Sequence, residues 1–144
     1  MAEAVAQTVA QTAIEAVVAK VIIGAVRETA PGERRVALTP ETCKKLVAAG
    51  ATVRIERGLG DGAHVGAEVI DGADAVLASA DIVVCVQPPP AEAIAKMKSG
   101  GVLVGMLQPQ GDAARTEALQ ARGIVAFPLE RLPRTTRVRR LEEM

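Results

Sequence analysis

Val21-Ile22-Ile23-Gly24-Ala25-Val26-Arg27-Glu28-Thr29-Ala30-Pro31-Gly32-Glu33-Arg34-Arg35-Val36-Ala37-Leu38-Thr39-Pro40-Glu41 is the stretch whose reading decides the fold. Its apolar, β-branched opening has the character of a strand buried in a parallel sheet. A charged Pro-Gly loop comes next, and Thr39-Pro40-Glu41 then opens a helix. Thr39 suits the N-cap, Pro40 loses nothing at the first helical position, and Glu41 favours the positive end of the dipole. The helix Glu41–Ala49 stops at Gly50, and Thr52–Glu56 is the next strand, so the stretch builds one βαβ unit. The loop places Glu33, Arg34 and Arg35 at the carboxyl end of a buried strand, where open α/β sheets bind ligands.

From Asp81 onward strands and helices alternate. Asp81–Val86 reads as a buried strand stopped by Pro88-Pro89-Pro90, and Ala91–Lys98 as a short helix ending at Gly100-Gly101. Val102–Leu107 is a strand, Asp112–Arg122 a helix and Ile124–Phe127 the last strand. Such alternation implies one mostly parallel, doubly wound sheet between two helical layers. A flavodoxin-like order, 2-1-3-4-5, would put the switch point between the first and third of these strands. Arg27, Glu33 and Arg35 on one loop would then face Gln87 on another across a crevice, with Gln108 at the end of the next strand.

The 144 residues fit one domain able to bury a core. With Lys+Arg 17 against Asp+Glu 17, there is no basic field to draw nucleic acid. One Phe and no Trp or Tyr leave no aromatic platform for stacking bases. Cys43 and Cys85 stand far apart and read as reduced, inert thiols, Cys85 as a small core residue. No apolar run is long enough to insert in a membrane. His64, the single histidine, is weak support for catalysis or metal binding, and no metal site is expected.

Residues 1–20 have a different texture. Glu3, Gln7, Gln11 and Glu15 form a polar stripe, and Val5, Val9, Ala13 and Val17 a mildly apolar one, at the spacing of an amphipathic helix. A basic leader followed by a dense apolar stretch is absent, and so are presequence arginines. The segment reads as an extra N-terminal helix for packing or association.

After Glu56, Gly58, Gly60 and Ala63 satisfy G-x-G-x-x-G/A. The residues beyond this turn do not start a helix able to present its N-terminus to a pyrophosphate. Asp81, at the expected distance for a ribose-binding acid, begins a strand instead of ending one. A structural glycine turn is the better reading.

The blocks Arg27-Glu28, Glu33 to Glu41, Ala80-Asp81-Ile82-Val83, Gln87-Pro88-Pro89, Val104 to Pro109 and Glu130 to Arg134 recur in order. Together they resemble the N-terminal domain of the alanine dehydrogenase and NAD(P) transhydrogenase alpha-subunit family. The resemblance runs from Val21 to Arg137 and implies a Rossmann-like domain over residues 21–130. It also implies that the NAD fingerprint belongs to a second domain outside these residues. Relatives carry an extra short helix before the Ala-Asp-Ile-Val strand; here the connection is trimmed, with Asp71–Ala80 able to form a short helix.

The two branches of the family separate at the crevice. In alanine dehydrogenases the residue matching Arg35 binds the substrate carboxylate. A Lys matching Gln87 and a His matching Gln108 handle the carbonyl and its proton. Glutamine does not titrate and cannot serve as a general acid, so no catalytic residue is assigned, and the transhydrogenase branch fits better.

Residues 131–144 form a basic tail. By resemblance, Arg134, Arg139 and Glu142 stand where transhydrogenase alpha subunits reach the nicotinamide, with Arg in place of Gln at 139 and Glu in place of Asp at 142. The residues themselves read better as an ordinary solvated basic tail, Arg131 to Arg140, frayed at the terminus; the nicotinamide role is what the resemblance alone implies.

The expected function is that of a portion of a proton-translocating transhydrogenase. The NAD-binding domain and the membrane and NADP-binding subunits would be partners, and NAD(H) would be held only weakly without them. A homodimer is an open alternative. The expected location is the cytoplasm, or the cytoplasmic face of the inner membrane as a peripheral subunit. A non-catalytic interaction module with the same fold is the second reading, and an amino-acid dehydrogenase domain the third.

Overall fold

The computed structural model describes residues 4–7, 9–10, 21–60 and 66–132. The first strand, β1 (Ile22–Ala25), leads through the charged loop into α1 (Pro40–Ala48) and β2 (Thr52–Glu56). The chain continues through β3 (Glu68–Ile70), α2 (Ala73–Ser79), β4 (Ile82–Val84), α3 (Ala91–Ala95), β5 (Val102–Gly105), α4 (Ala113–Ala121) and β6 (Val125–Pro128), ending in a 3₁₀ turn at Leu129–Arg131. All neighbouring strands pair in parallel, in the order β3-β2-β1-β4-β5-β6.

Five of these strands are the expected ones in the expected order. The sixth, β3, extends the sheet beyond β2, where the sequence pattern suggests only a trimmed connection. Two of its three residues are exposed, so its pattern carries no buried signature. Backbone pairing to Arg54–Glu56 and an ion pair between Arg54 Nε and Glu68 Oε2 (2.8 Å) hold it on the edge. The expected short helix after Asp71 is α2. The strand expected over Asp81–Val86 is confined to Ile82–Val84, because the chain bends at Val86-Gln87 ahead of the three prolines.

Local chemistry explains the helix starts. Thr39 Oγ1 accepts from Thr42 N at 3.2 Å, with Pro40 in the first turn. Asp112 Oδ1 accepts from Ala114 N at 2.9 Å and Arg115 N at 3.3 Å at the head of α4. Gly50 closes α1 with φ of 100°, a left-handed conformation that favours glycine.

The core lies on both faces of the sheet. On one face Cys43 of α1 and Leu38 pack with Ala25, Val53 and Ile55. On the other, Leu77, Ile94 and Met97 from α2, α3 and the turn after α3 pack with Val83 and Leu103, and α4 adds Ala118 and Leu119. Gly24 and Gly105 are tight points. A Cβ on Gly24 would sit 2.7 Å from Ala80 Cβ, and one on Gly105 2.5 Å from the carbonyl oxygen of Cys85. No helix among the described residues is long and apolar enough to cross a membrane.

Candidate functional site

The order β3-β2-β1-β4-β5-β6 reverses winding direction between β1 and β4, and the loops leaving these two strands diverge around a crevice. Backbone N–H groups at such strand ends have no further ladder partner and are free to meet a ligand. Here side-chain carboxylates meet them instead. Glu56, ending β2, accepts from Arg27 N at 2.7 Å. Glu28, after β1, accepts from Val86 N and, at 3.4 Å, from Gln87 N. Glu130, in the 3₁₀ turn after β6, accepts from Leu107 N at 3.1 Å and Gln108 N at 3.4 Å. Three strand ends are thus tied by acids from neighbouring segments, and the crevice floor is electrostatically satisfied before any ligand arrives.

A second set sits above this floor. The Glu33 side chain is only 8% exposed. Its Oε1 accepts from Arg35 N (2.8 Å) and Arg35 Nε (3.0 Å), and its Oε2 from Arg35 Nη2 (2.8 Å) and Gln87 Nε2 (2.9 Å). The Arg35 and Gln87 hydrogen bonds favour the ionised acid and hold the Glu33 carboxyl down at about 2. Glu33 thereby links the two loops that the strand order sets across from each other. The same contacts engage the Arg35 guanidinium, although that side chain stays 68% exposed.

Arg27 and Gln87 line a cavity of about 380 Å³, together with Glu28, Pro88 to Pro90 and residues of α2 and α3. Cys85 lies in its wall, and burial pushes the thiol up to about 12, too high for a nucleophilic thiolate. Cys43 is buried and also free. Gln108 stands apart, over a shallow depression with Pro109 to Gly111, Glu130 and Arg131. Its φ of 45° turns the chain away as soon as it leaves β5. Arg115 bridges the two places, its Nε donating to Pro89 O at 2.9 Å and its Nη1 to Leu107 O at 3.5 Å.

The glycine turn after β2 has Gly58 and Gly60 with φ of 89° and 68°, the backbone of a tight turn. Ala63 and His64 lie outside the described residues, as do Arg134, Arg139 and Glu142. No cluster of potential metal ligands occurs among the described residues. Sequence reasoning missed Glu28, Glu56, Glu130 and Arg115 as members of the site. The available signal was their position, since each acid stands at or just beyond the carboxyl end of a strand.

The family described as alanine dehydrogenase/PNT, N-terminal domain matches this chain over residues 24–144. The chain belongs to that family.

This member of the family is 36% identical over 129 residues to the first portion of the NAD(P) transhydrogenase alpha subunit of Rhodospirillum rubrum, a match covering 81% of this chain and 34% of that protein. It is 31% identical over 116 residues to alanine dehydrogenase of Mycobacterium tuberculosis, covering 75% of this chain and 31% of the relative. The crystal structure of transhydrogenase from Sinorhizobium meliloti superposes with a TM-score of 0.71 at 33% identity, over 81% of this chain and 37% of that one. An L-alanine dehydrogenase structure superposes with a TM-score of 0.68 at 31% identity, over 74% and 32%. The D-lactate dehydrogenase of Lactobacillus jensenii shares the fold, with a TM-score of 0.53 at 19% identity. The alanine dehydrogenase/PNT N-terminal domain described here spans about a third of the Rhodospirillum protein.

Proposed function

We propose that this chain serves as the N-terminal portion of an NAD(P) transhydrogenase alpha subunit, in a system that passes a hydride from NADH to NADP⁺ and couples the transfer to proton translocation. The observation that carries the reading is the state of the crevice. Gln87, where an amino-acid dehydrogenase would need a titrating group, donates to Glu33 at 2.9 Å, and Gln108 turns away over a separate depression. Neither side chain can exchange a proton with a substrate. The similarity to the Rhodospirillum and Sinorhizobium proteins supports the same branch.

The described residues do not fit a dinucleotide. Adenosine and pyrophosphate need backbone N–H groups aimed at phosphate oxygens, and Glu28, Glu56 and Glu130 already occupy those at three strand ends. Their charge would also repel a phosphate. An NAD-binding domain must therefore supply most of the affinity, with Arg134, Arg139 and Glu142 contributing to the nicotinamide end. The chain acts with that domain and with membrane and NADP-binding subunits, at the cytoplasmic face of the membrane. Mixing it with a separately produced NAD-binding domain and membranes carrying the NADP-binding subunits tests the reading. Hydride transfer that requires this chain is expected; a rate unchanged by its addition would overturn the proposal.

A further inference from the structure

The run Gln87-Pro88-Pro89-Pro90 follows β4 with three residues that carry no backbone N–H. Such residues cannot be anchored by donating their own amides; only their carbonyls can be held. Gln87, Pro88 and Pro89 each precede a proline, which confines them to extended backbone, and the rings fix φ along the run. The segment is therefore stiff, and a shift at Pro89 is carried back to Gln87 with little damping. At the far end Pro90 O accepts from Ala93 N at 3.0 Å and Ile94 N at 3.2 Å in α3. At the near end Glu28 holds the amides of Val86 and Gln87. Between them Pro89 O accepts from Arg115 Nε at 2.9 Å, and this contact sets the direction in which the run leaves the strand.

Arg115 stands in the first turn of α4, and its side chain is only 14% exposed. The guanidinium also reaches Leu107 O through Nη1 at 3.5 Å and Asp112 Oδ2 through Nη2 at 3.6 Å. Leu107 immediately precedes Gln108, whose backbone is left-handed. One planar fork thus touches the exits of both β4 and β5, and the cap acid of α4 braces it. A guanidinium suits the place because its donors are fixed in one plane and its charge is permanent. At the start of the stiff run, Gln87 Nε2 donates to Glu33 Oε2 at 2.9 Å.

We propose that Arg115 is a positioning residue of the crevice: through Pro89 it aims Gln87 at Glu33, and through Leu107 it fixes the approach to Gln108. Its hydrogen bonds in the crevice go to backbone carbonyls, so it acts on Glu33 by way of the Gln87 run. The role belongs to the crevice itself and does not depend on the function proposed above.

The test follows the Glu33 carboxyl by carbon-detected NMR in the full chain, since the Arg35 and Gln87 hydrogen bonds hold that carboxyl at about 2. Arg115→Met keeps the aliphatic stem and removes the fork, and the titration midpoint should rise by about 0.5–1. An unmoved midpoint would overturn the proposal. Arg122 supplies the control, a half-buried arginine at the other end of α4 whose Nε donates to Met97 O at 3.1 Å. Arg122→Met should leave the Glu33 midpoint in place, and an equal rise would reduce Arg115 to a general strut. In a Gln87→Ala background, adding Arg115→Met should move the midpoint no further. A second rise of the same size would show that Arg115 acts by charge or by loosening the Glu33 loop, against the proposed route. Should Arg115→Met fail to fold, Arg115→Lys keeps the charge and one donor but loses the fork. Its midpoint should rise by a smaller amount, and the parent value would contradict the proposal.

Discussion

Replacing Glu28 by alanine tests the idea that carboxylates hold the crevice in shape. In the structure this one acid accepts from the amides of Val86 and Gln87, both part-buried. A hydrogen bond to a charged group contributes about 1.5–3 kcal/mol, and an orphaned buried donor costs about 1–3 kcal/mol. The Gln87 contact, at 3.4 Å, is the weaker of the two. The adjoining cavity of about 380 Å³ also lets water reach the freed amides. These factors place the loss near the lower end, at about 1.5–2.5 kcal/mol. With a urea m-value of about 1–3 kcal/mol per molar, the midpoint should fall by roughly 1 M with an unchanged slope. Urea unfolding followed by circular dichroism reads this directly. Glu28→Gln keeps one acceptor and should lose about half as much. A midpoint shift below about 0.2 M for Glu28→Ala would refute the reasoning, as would equal shifts for the two variants.

The Glu33 clamp should be acid-labile with a low midpoint. Its folded pKa lies below its ordinary value of 4.5, so its contribution is complete above that value and is lost as pH falls through about 2. Carbon-detected NMR of the Glu33 carboxyl should titrate there, and Arg35→Ala should move the midpoint up; an ordinary midpoint in the parent chain would remove the clamp. Gly105→Ala should destabilise by about 3 kcal/mol or more, because the added carbon meets the Cys85 carbonyl backbone as well as its sulfur. Adding Cys85→Ala should restore little, and full rescue in thermal unfolding would show that the backbone contact is unimportant. The chain should neither oxidise alanine nor reduce pyruvate with NADH, and turnover above a heat-inactivated control would contradict the roles given to Gln87 and Gln108.

The β1–α1–β2 unit was legible because Thr39-Pro40-Glu41 and Gly50 punctuate it with local chemistry. Strand β3 was not, because Glu68 and Val69 are exposed and the strand is held by backbone pairing to β2 and the Arg54–Glu68 ion pair, neither of which leaves a buried pattern. The crevice was readable in outline, since Arg27 and Gln87 closely follow β1 and β4, Glu33 and Arg35 lie on the loop that leaves β1, and the strand order follows from alternation. Its wiring was not. Glu28 reaches an amide 58 residues away and Glu130 one 23 residues away, and no local pattern announces either contact. Gln108 separates from the others because of one left-handed residue, a backbone choice that the sequence Leu107-Gln108-Pro109 does not display.

The central claim is that this chain needs a complementary NAD domain, and calorimetric titration with NADH tests it most directly. The isolated chain should bind with a dissociation constant of about 1 mM or weaker, about −4 kcal/mol or less favourable, and adding the NAD-binding domain in trans should tighten binding beyond what that domain achieves alone. Micromolar affinity for the isolated chain would contradict the account and restore Gly58-x-Gly60-x-x-Ala63 as a nucleotide site.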